Sequence, residues 1–342
     1  MSTSVTVVIS TKDRYTTTLP SLLISLGMQT VKPNHIIIYD DGEQKDLRNI
    51  PFYQNIFLFL QNNRGISWEV KFGERKGQVT NHQRSITDAN TEWIWRLDDD
   101  NICEPNTLEK LLAVSEDRDV GAVTGLVLDP KFNQNFNHLA SNKMEDVFLG
   151  LNIQWFKWTG VQEVDHLYST FIYRKEAAAH GYCKDLSRIG HREETIFTHE
   201  IKRKGWKLLV TSDAITWHMR ESTGGIRSDS NAEMWRDDDK IFRKKLEEWG
   251  TKPRDIKLIV LDNGIGDHLI FKKIIPDLRA KYKDIVMSVC FPEVFETDGI
   301  PLISIAEAKQ MMNIDELNVY KFMGDNKWTS SIEKAFRKLY NI

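Results

Sequence analysis

Three consecutive carboxylates stand at the end of an apolar, strand-like run. Residues 93–97 are followed directly by Asp98, Asp99 and Asp100. Carboxylates this close repel one another unless a cation or water neutralises them. Because side chains alternate along an extended segment, Asp98 and Asp100 share one side and could together hold a hard divalent cation and a sugar hydroxyl. The alternative interpretation is a solvated acidic turn ahead of a helix near Pro105.

A second acidic pair, Asp40 and Asp41, follows the strand-like residues 36–39 and precedes Gly42. A carboxylate at this point could accept hydrogen bonds from a uracil-type base or from ribose. Asp and Gly also form turns readily, so a simple turn explains the pair equally well.

The elements that must position these acids alternate along the first hundred residues. Short apolar runs predict buried strands, and runs with helical spacing predict helices between them. The predicted strands are 5–10, 36–39, 56–60 and 93–97, and the predicted helices are 19–29 and 78–89. This order predicts an α/β fold with a mostly parallel central sheet flanked by helices. Ligands bind at the carboxyl ends of such strands, where the acids stand.

The rest of the chain is less regular and predicts a second domain. Residues 130–162 predict a long excursion, whose Trp155, Phe156 and Trp158 could stack on a sugar or pack as a structural cluster. The predicted elements that follow are strands at 164–173 and 207–210, a charged helix at 232–249, a linker at 252–255, a strand at 256–261, a helix to residue 282 and a strand at 285–291. We therefore predict two domains, 1–252 and 253–342.

The composition excludes several classes of protein. A hydrophobic fraction of 41% is sufficient for a buried core and excludes wholesale disorder. The net charge of -3 excludes an obligately basic protein that coats nucleic acids. The three cysteines are too widely spaced for a disulfide framework or a CxxC zinc site, which favours a reducing compartment. Because no signal pattern and no apolar window of about 18 residues is present, we expect a soluble, cytoplasmic protein.

Taken in order, these motifs resemble the family-2 glycosyltransferases of the GT-A fold, over residues 4–220. Residues 5–14 resemble the opening strand and nucleotide-contacting turn, residues 22–30 and 36–42 the segments that follow, and the three aspartates the metal-binding DXD motif. Further on, the pair Glu193-Glu194 resembles the acidic pair that holds the catalytic base. The pair Trp217-His218 resembles a late strand that ends in a metal-ligating histidine.

The resemblance implies a nucleotide-diphospho-sugar transferase with an inverting mechanism, a UDP-sugar as the default donor, and Mn²⁺ or Mg²⁺ as the cofactor. The implied metal ligands are Asp98, Asp100 and His218. The implied base is Glu194 or Glu193, since the family pair usually ends in aspartate and this chain has two glutamates. Nucleotide or donor contacts are implied for the following residues, the last two more weakly because residues 80–84 depart from the family pattern: Thr11, Asp13, Arg14, Asp40, Asp41, Asp98, Asp99, Arg84 and Lys76.

Two further segments bear on this function. The glycine-rich residues 222–227, with Arg220 and Arg227, could close over a diphosphate or form an ordinary loop. Residues 256–267, with a Gly-x-Gly turn at 264–266, resemble the first βαβ unit of family-9, heptosyltransferase-like enzymes. The C-terminal segment is too short for such a two-domain enzyme, so we expect an accessory module that could form a homo-oligomer.

Two other function classes remain open at this point. A sugar-nucleotide pyrophosphorylase would need a glycine-rich loop for its triphosphate, and residues 10–14 contain no glycine. The other class is a non-catalytic relative that binds a glycan or a nucleic acid. The acceptor is also open, and could be a glycan, another hydroxyl-bearing polymer or a hydroxylated base in DNA. A basic stripe could track phosphates or be a solvated helix face: Arg236, Lys240, Arg243, Lys244 and Lys245.

Overall fold

The computed structural model divides into two compact units. The first is Met1–Gln134 with Thr159–Trp249, and the second contains Gly250–Ile342. The structure describes residues 3–43, 45–130, 144–145, 160–167, 169–252, 256–295, 297–303, 305, 308 and 314–342. The predicted aromatic cluster of Trp155, Phe156 and Trp158 and most of the predicted linker lie outside these residues. The predicted domain limits, 1–252 and 253–342, stay a prediction.

One large sheet forms the centre of the first unit. Its strands are β1 Val5–Thr11, β2 His35–Asp40, β3 Ser67–Phe72, β4 Trp93–Asp98, β5 Asn101–Cys103, β6 Val120–Leu128, β7 Val161–Glu163, β8 Phe171–Arg174 and β9 Lys207–His218. Among the described residues the strand order is β3-β2-β1-β4-β8-β6-β9-β5, and β7 also pairs with β9. Strands β1 to β4 are parallel, whereas β8 is antiparallel to β4 and β6. The predicted α/β class is confirmed, and the sheet is mixed beyond β4.

Helices connect the parallel strands, because a parallel pair needs a crossover connection. The helices of the first unit are α1 Leu19–Gly27, α2 Pro51–Leu58, α3 Gln78–Asp88, α4 Thr107–Ala113, α5 Glu193–Arg203 and α6 Ala232–Glu248. Strand β1 lies between β2 and β4. The carboxyl ends of these three strands therefore bring the two acidic segments to one edge of the sheet.

The strand predicted at residues 56–60 is wrong, because this segment is helical. Helix α2 starts at Pro51, whose fixed φ suits the first turn of a helix, and a π-helical turn continues over Phe59–Asn63. A short apolar run has the same appearance in a buried strand and in a buried helix, so periodicity alone does not separate them. The strand that pairs with β2 is instead β3, which follows this helical segment. Trp68 on β3 stacks on Phe57 of α2 with ring centroids 3.9 Å apart.

The second unit contains a small parallel sheet. Its strands are β10 Lys257–Leu261, β11 Ile285–Val289 and β12 Leu302–Ile303, in the order β10-β11-β12. Its helices are α7 Ile265–Lys272, α8 Ile275–Lys281, α9 Val319–Asp325 and α10 Ile332–Leu339. The single helix predicted up to residue 282 is broken at Ile274, just before Pro276 in the first turn of α8. None of the described helices is long and apolar enough to cross a membrane.

The stacking of Phe57 on Trp68 predicts a specific stability loss. Phe57 is 2% exposed, so Phe57→Ala should lower the free energy of unfolding by about 3–5 kcal/mol in urea titration. Phe52 lies on the same helix but is 56% exposed, so Phe52→Ala should have little effect. Equal losses for the two variants would contradict the helical placement of this segment.

Candidate functional site

Two adjoining cavities lie at the carboxyl ends of β1, β2 and β4. The first has a volume of about 390 Å³ and the second about 330 Å³, and Ile226 lines both. The first cavity is lined by Lys12, Asp13, Asp41, Gly42, Glu43, Arg75, Gly77, Arg188, Ile226 and Asp229. The second is lined by Ser10, Arg14, Gln78, Arg96, Asp98, Asp99, Asp100, Ser169, Glu194, His218, Arg220, Gly224, Gly225, Ile226 and Arg227. Residues that are distant in the sequence therefore share one polar site.

Arg14 is the cation that neutralises the middle of the three aspartates. Its Nη1 lies 2.5 Å from Asp99 Oδ1 and 3.1 Å from Asp100 Oδ2. The Thr11 hydroxyl donates to Asp99 Oδ2 at 2.7 Å. Burial raises the pKa of Asp99 to about 6, although the charge of Arg14 opposes this. Both oxygens of Asp99 are therefore engaged by the protein itself.

Asp100 and His218 form a second contact in the same cavity. Strands β5 and β9 pair in the register that sets Asn101 opposite His218. This register brings His218 Nε2 within 3.2 Å of Asp100 Oδ1. Burial opposes ionisation of Asp100, but the hydrogen bond and charge of His218 hold the pKa of this carboxyl below its usual value. Despite its own burial, His218 has a raised pKa because of the same contact.

The pair of Asp100 and His218 fits two ligands of one divalent ion. Adjacent donors of an octahedral ion with bonds of about 2.1 Å are about 3 Å apart, close to the separation seen here. Asp98 lies elsewhere in the cavity, where Ser169 Oγ donates to its Oδ2 at 2.8 Å and Arg96 Nη2 is 3.5 Å from its Oδ1. Over the described ranges no group of three or more His, Cys, Asp or Glu residues could hold a metal. A site built on two protein donors leaves the other positions to phosphate and water oxygens, as is usual for Mg²⁺.

The acids after β2 have different surroundings. Asp40 is buried, which raises its pKa, and its Oδ1 accepts a hydrogen bond from the backbone N–H of Gly42 at 2.8 Å. Asp41 lines the first cavity; its Oδ2 accepts from Gly77 N–H at 3.1 Å, while its buried Oδ1 has no partner. A Cβ at residue 73 would lie 1.5 Å from this Oδ1, so Gly73 allows the close approach. Asp40 therefore shapes the turn, and Asp41 faces the cavity.

Asp13 also lines the first cavity and has a left-handed backbone, with φ of 56°. Its Oδ1 accepts a hydrogen bond from Glu43 N–H at 2.9 Å, which links the turn after β1 to the turn after β2. The cavity also contains Arg75 and Arg188, which are not among the residues expected there from the sequence. Arg75 Nη2 donates to Gly42 O at 3.0 Å. No sequence pattern distinguishes these two arginines from surface ones.

Arg84 and Lys76 do not line either cavity. The guanidinium of Arg84 lies over the ring of Tyr39, 5.3 Å from its centroid. Lys76 is exposed and pairs with Glu74 at 2.6 Å. The residue of α3 that lines the second cavity is Gln78, at the start of this helix.

The two glutamates at the start of α5 face different surroundings. Glu193 is fully buried, and its Oε1 lies 2.5 Å from Arg96 Nη2. Burial raises the pKa of Glu193 to about 8, against the effect of Arg96. Glu194 lines the second cavity, and its Oε2 has no hydrogen-bond partner. Although burial opposes it, the charges of Arg96 and Arg227 lower the pKa of Glu194.

A fully buried carboxylate on α6 holds the turn that precedes this pair. Asp238 accepts hydrogen bonds from Ser187 N–H at 2.6 Å, Ser187 Oγ at 2.9 Å and His191 N–H at 2.8 Å. The three donors satisfy the buried charge. On the solvent side of the same helix, members of the predicted basic stripe pair with neighbouring acids: Lys240 with Asp237, and Lys244 and Lys245 with Glu248.

The glycine-rich loop lies against the turn after β1. Arg14 Nη2 donates to Glu221 O at 2.6 Å, and Gly225 N–H donates to Lys12 O at 2.7 Å. Gly225 has φ of 78°, and a Cβ there would lie 2.8 Å from Arg14 Nη2. Arg14 therefore joins this loop to Asp99 and Asp100. Arg220 and Arg227, expected to flank the loop, both line the second cavity.

Comparisons with known proteins show which family the sequence matches and which solved structures share its fold. Residues 6–181 match the profile of glycosyl transferase family 2. A crystal structure of GalNAc-T7 with UDP, GalNAc and Mn²⁺ is similar with a TM-score of 0.53 at 14% identity, over 82% of this chain and 58% of that one. A structure of S. aureus TarS 1-349 in complex with UDP-GlcNAc is similar with a TM-score of 0.51 at 14% identity, over 99% of this chain and 90% of that one. No match to a curated protein was found.

These likenesses confirm the predicted GT-A fold, and at such low identity they bear on the fold alone. The chain spans little more than half of the GalNAc-T7 chain. The expected likeness of the C-terminal segment to family-9 enzymes stays a prediction.

The raised pKa of Glu193 predicts that stability depends on pH. Between the ordinary value of 4.5 and about 8, the folded chain keeps a proton that the unfolded chain has released. The free energy of unfolding should therefore fall as the pH rises through this window, and Glu193→Gln should flatten the fall. Urea titrations from about pH 5 to about pH 8 measure the difference.

Glu74→Gln is the matched control, because Glu74 is an exposed glutamate paired with Lys76. Its pH profile should run parallel to that of the wild type. If the pH profile of Glu193→Gln also ran parallel to that of the wild type, Glu193 would not be the group whose raised pKa makes stability depend on pH.

Proposed function

This chain belongs to glycosyl transferase family 2, and on that premise we propose that it transfers a sugar from a UDP-sugar to an acceptor hydroxyl by an inverting, metal-dependent displacement. A glycosyltransferase is an enzyme, so membership of this family favours the transferase over the pyrophosphorylase and over a non-catalytic binding protein. The observation that carries the proposal is the second cavity, which brings together a carboxylate–imidazole pair and a glutamate with an unpartnered oxygen.

The nucleoside is assigned to the first cavity. Asp41, Asp13 and Arg75 line this space. A carboxylate that lines the cavity suits the N–H of a uracil base or a ribose hydroxyl. UDP in the GalNAc-T7 structure and UDP-GlcNAc in the TarS structure support a uridine nucleotide. Asp40 shapes the turn at Gly42 beside this cavity, whereas Thr11 and Asp99 shape the wall of the second cavity.

The diphosphate is assigned to the second cavity, beside Asp100 and His218. These two residues would hold Mn²⁺ or Mg²⁺, and Mn²⁺ in the GalNAc-T7 structure supports a divalent ion. When bound, such an ion neutralises charge on the departing diphosphate. Arg227 lines the same cavity and is a further cation for the phosphates. Asp98 is assigned to the donor sugar or ribose.

Glu194 is assigned as the base. It takes the proton of the acceptor hydroxyl while the acceptor oxygen bonds to the anomeric carbon. The bond from that carbon to the diphosphate breaks, and its electron pair leaves with UDP. One displacement inverts the configuration and needs one base, so Glu193, which is fully buried against Arg96, has no required part in the proton transfer.

The acceptor is proposed to be a hydroxyl on a glycan or another polymer, with hydroxylated DNA as a further candidate. The C-terminal unit is proposed as an accessory module of Rossmann-like form, with homo-oligomerisation as its role. A screen of UDP-sugars against glycans, polyols and hydroxymethylated DNA, read out by UDP release and product mass, tests the whole proposal. Failure of every nucleotide-sugar to release its nucleotide would overturn it.

Loss of Asp100 should abolish the response to metal. In the wild type, Mn²⁺ with UDP should raise the melting temperature, because binding to the folded state stabilises it. Asp100→Asn keeps the size of the side chain but should lose this rise, and its transfer rate should match the wild type in excess chelator.

Asp46→Asn is the control for this experiment, because Asp46 pairs with Arg48 and lines neither cavity. It should behave as the wild type. An Mn²⁺-dependent rise that survives in Asp100→Asn would refute the ligand assignment.

Replacing each glutamate by glutamine should show that Glu194 and Glu193 contribute differently to turnover. Glu194→Gln should lower turnover by about 10²–10⁴-fold, the usual size of general-base catalysis, with little change in UDP affinity. Glu193→Gln should lower turnover far less. Turnover near the wild-type value in Glu194→Gln would show that the base is another residue.

A further inference from the structure

Arg96 is a charged side chain in the middle of a central strand. It lies on β4, between β1 and β8, opposite Val8 and Phe171, and it is 2% exposed. Its neighbours on the strand are apolar and fully buried. Replacing buried ion pairs by well-packed apolar residues is often neutral or stabilising, so stability alone does not account for an arginine here.

The guanidinium of Arg96 connects three elements at the second cavity. Nη2 lies 2.5 Å from Glu193 Oε1, at the start of α5, and Nε donates to His82 Nε2, on α3, at 3.2 Å. Burial and the charge of Arg96 lower the pKa of His82, so its imidazole is neutral and can accept this bond. Nη1 is buried and has no partner. Since Arg96 also lines the second cavity, its guanidinium both fixes Glu193 and borders the space beside Glu194.

We propose that Arg96 is a positioning residue for the transfer reaction: it anchors Glu193, fixes the first turn of α5, and thereby directs the Glu194 carboxylate at the acceptor hydroxyl. This inference rests on the proposed function of Glu194 as the base. It adds a residue that the acidic-pair motif does not contain. It also gives Glu193 a distinct role, as the carboxyl that Arg96 holds.

The electrostatics around Glu194 agree with this geometry. The charged and titratable groups that act on it are Arg96 from β4, Arg227 from the glycine-rich loop, Tyr182 from the segment before α5, and Arg192, His191 and Glu193 from the start of α5. Arg96 is the largest of the influences that lower the pKa of Glu194 against its burial. Two contacts fix the start of α5 beside Arg96. Asp238 accepts a hydrogen bond from His191 N–H in the turn before the helix, and Arg96 itself contacts Glu193 in its first turn.

The test compares Arg96→Lys, Arg96→Met and the double variant Arg96→Met/Glu193→Gln, each in the full chain. The double variant removes the Glu193 carboxyl together with the guanidinium that contacts it, so it keeps the test valid if Arg96→Met does not fold. Turnover of the UDP-sugar found in the screen and the affinity for UDP with Mn²⁺ are measured across pH.

We expect the double variant to bind UDP as the wild type does but to turn over about 10-fold to 10²-fold more slowly. The acid limb of its rate profile should move to higher pH, by about one unit, because the cation that most lowers the pKa of Glu194 is lost. Arg96→Lys keeps the charge and should restore the position of the acid limb while recovering only part of the rate.

Arg174 provides the matched control. It is a similarly buried arginine on β8 whose Nε donates to Val120 O at 3.0 Å, and it lines neither cavity. Arg174→Met should lower stability while the rate profile keeps its acid limb. An unmoved acid limb and wild-type turnover in the double variant would overturn the role of Arg96, whereas the proposed function itself fails only if the wild type releases no UDP.

Discussion

The arrangement of the site depends on neutralising several carboxylates that the sheet brings to one edge. Parallel pairing of β1 with β2 and β4 sets the acids after these strands side by side. Arg14 supplies the opposing charge at Asp99 and Asp100, and Arg96, beside Glu193, lowers the pKa of Glu194 against its burial. Without these cations, the repulsion and the cost of burying several charges would oppose folding of this edge.

The same contacts connect distant parts of the first unit. Arg14 binds the backbone of the glycine-rich loop at Glu221 as well as the aspartates. Pairing of β5 with β9 brings His218 to Asp100. Asp238 holds the turn before α5. The second cavity is therefore assembled by strands, a loop and two helices, each tied to the others by a charged group.

Much of this could be predicted from local sequence. Strand ends rich in acids, helical spacing in α1 and α3, and the order of the motifs led to the α/β class and the GT-A fold. The strand predicted at the apolar residues 56–60 was wrong, because a buried helical turn and a buried strand have the same local pattern. Arg84, expected at the nucleotide, instead stacks on Tyr39.

The division of roles within the site depends on contacts between residues far apart in sequence. Nothing next to Glu193 and Glu194 indicates which one faces the cavity, because Arg96 on β4 makes that distinction. In the same way, Asp98 pairs with Ser169 and Asp100 with His218, although the two aspartates are one residue apart. The local sequence feature that relates to this division of roles is Arg96, an arginine between apolar residues of β4.

The central claim is that Asp100 and His218 hold the cation at the donor diphosphate while Glu194 faces the acceptor side. Anomalous scattering from Mn²⁺ in crystals of the full chain grown with UDP measures this directly. The account predicts one strong peak in contact with Asp100, His218 and the UDP phosphates, with the Glu194 carboxylate free in the same cavity. A peak ligated by Glu194 or Glu193, or UDP bound without any ion near Asp100, would contradict it.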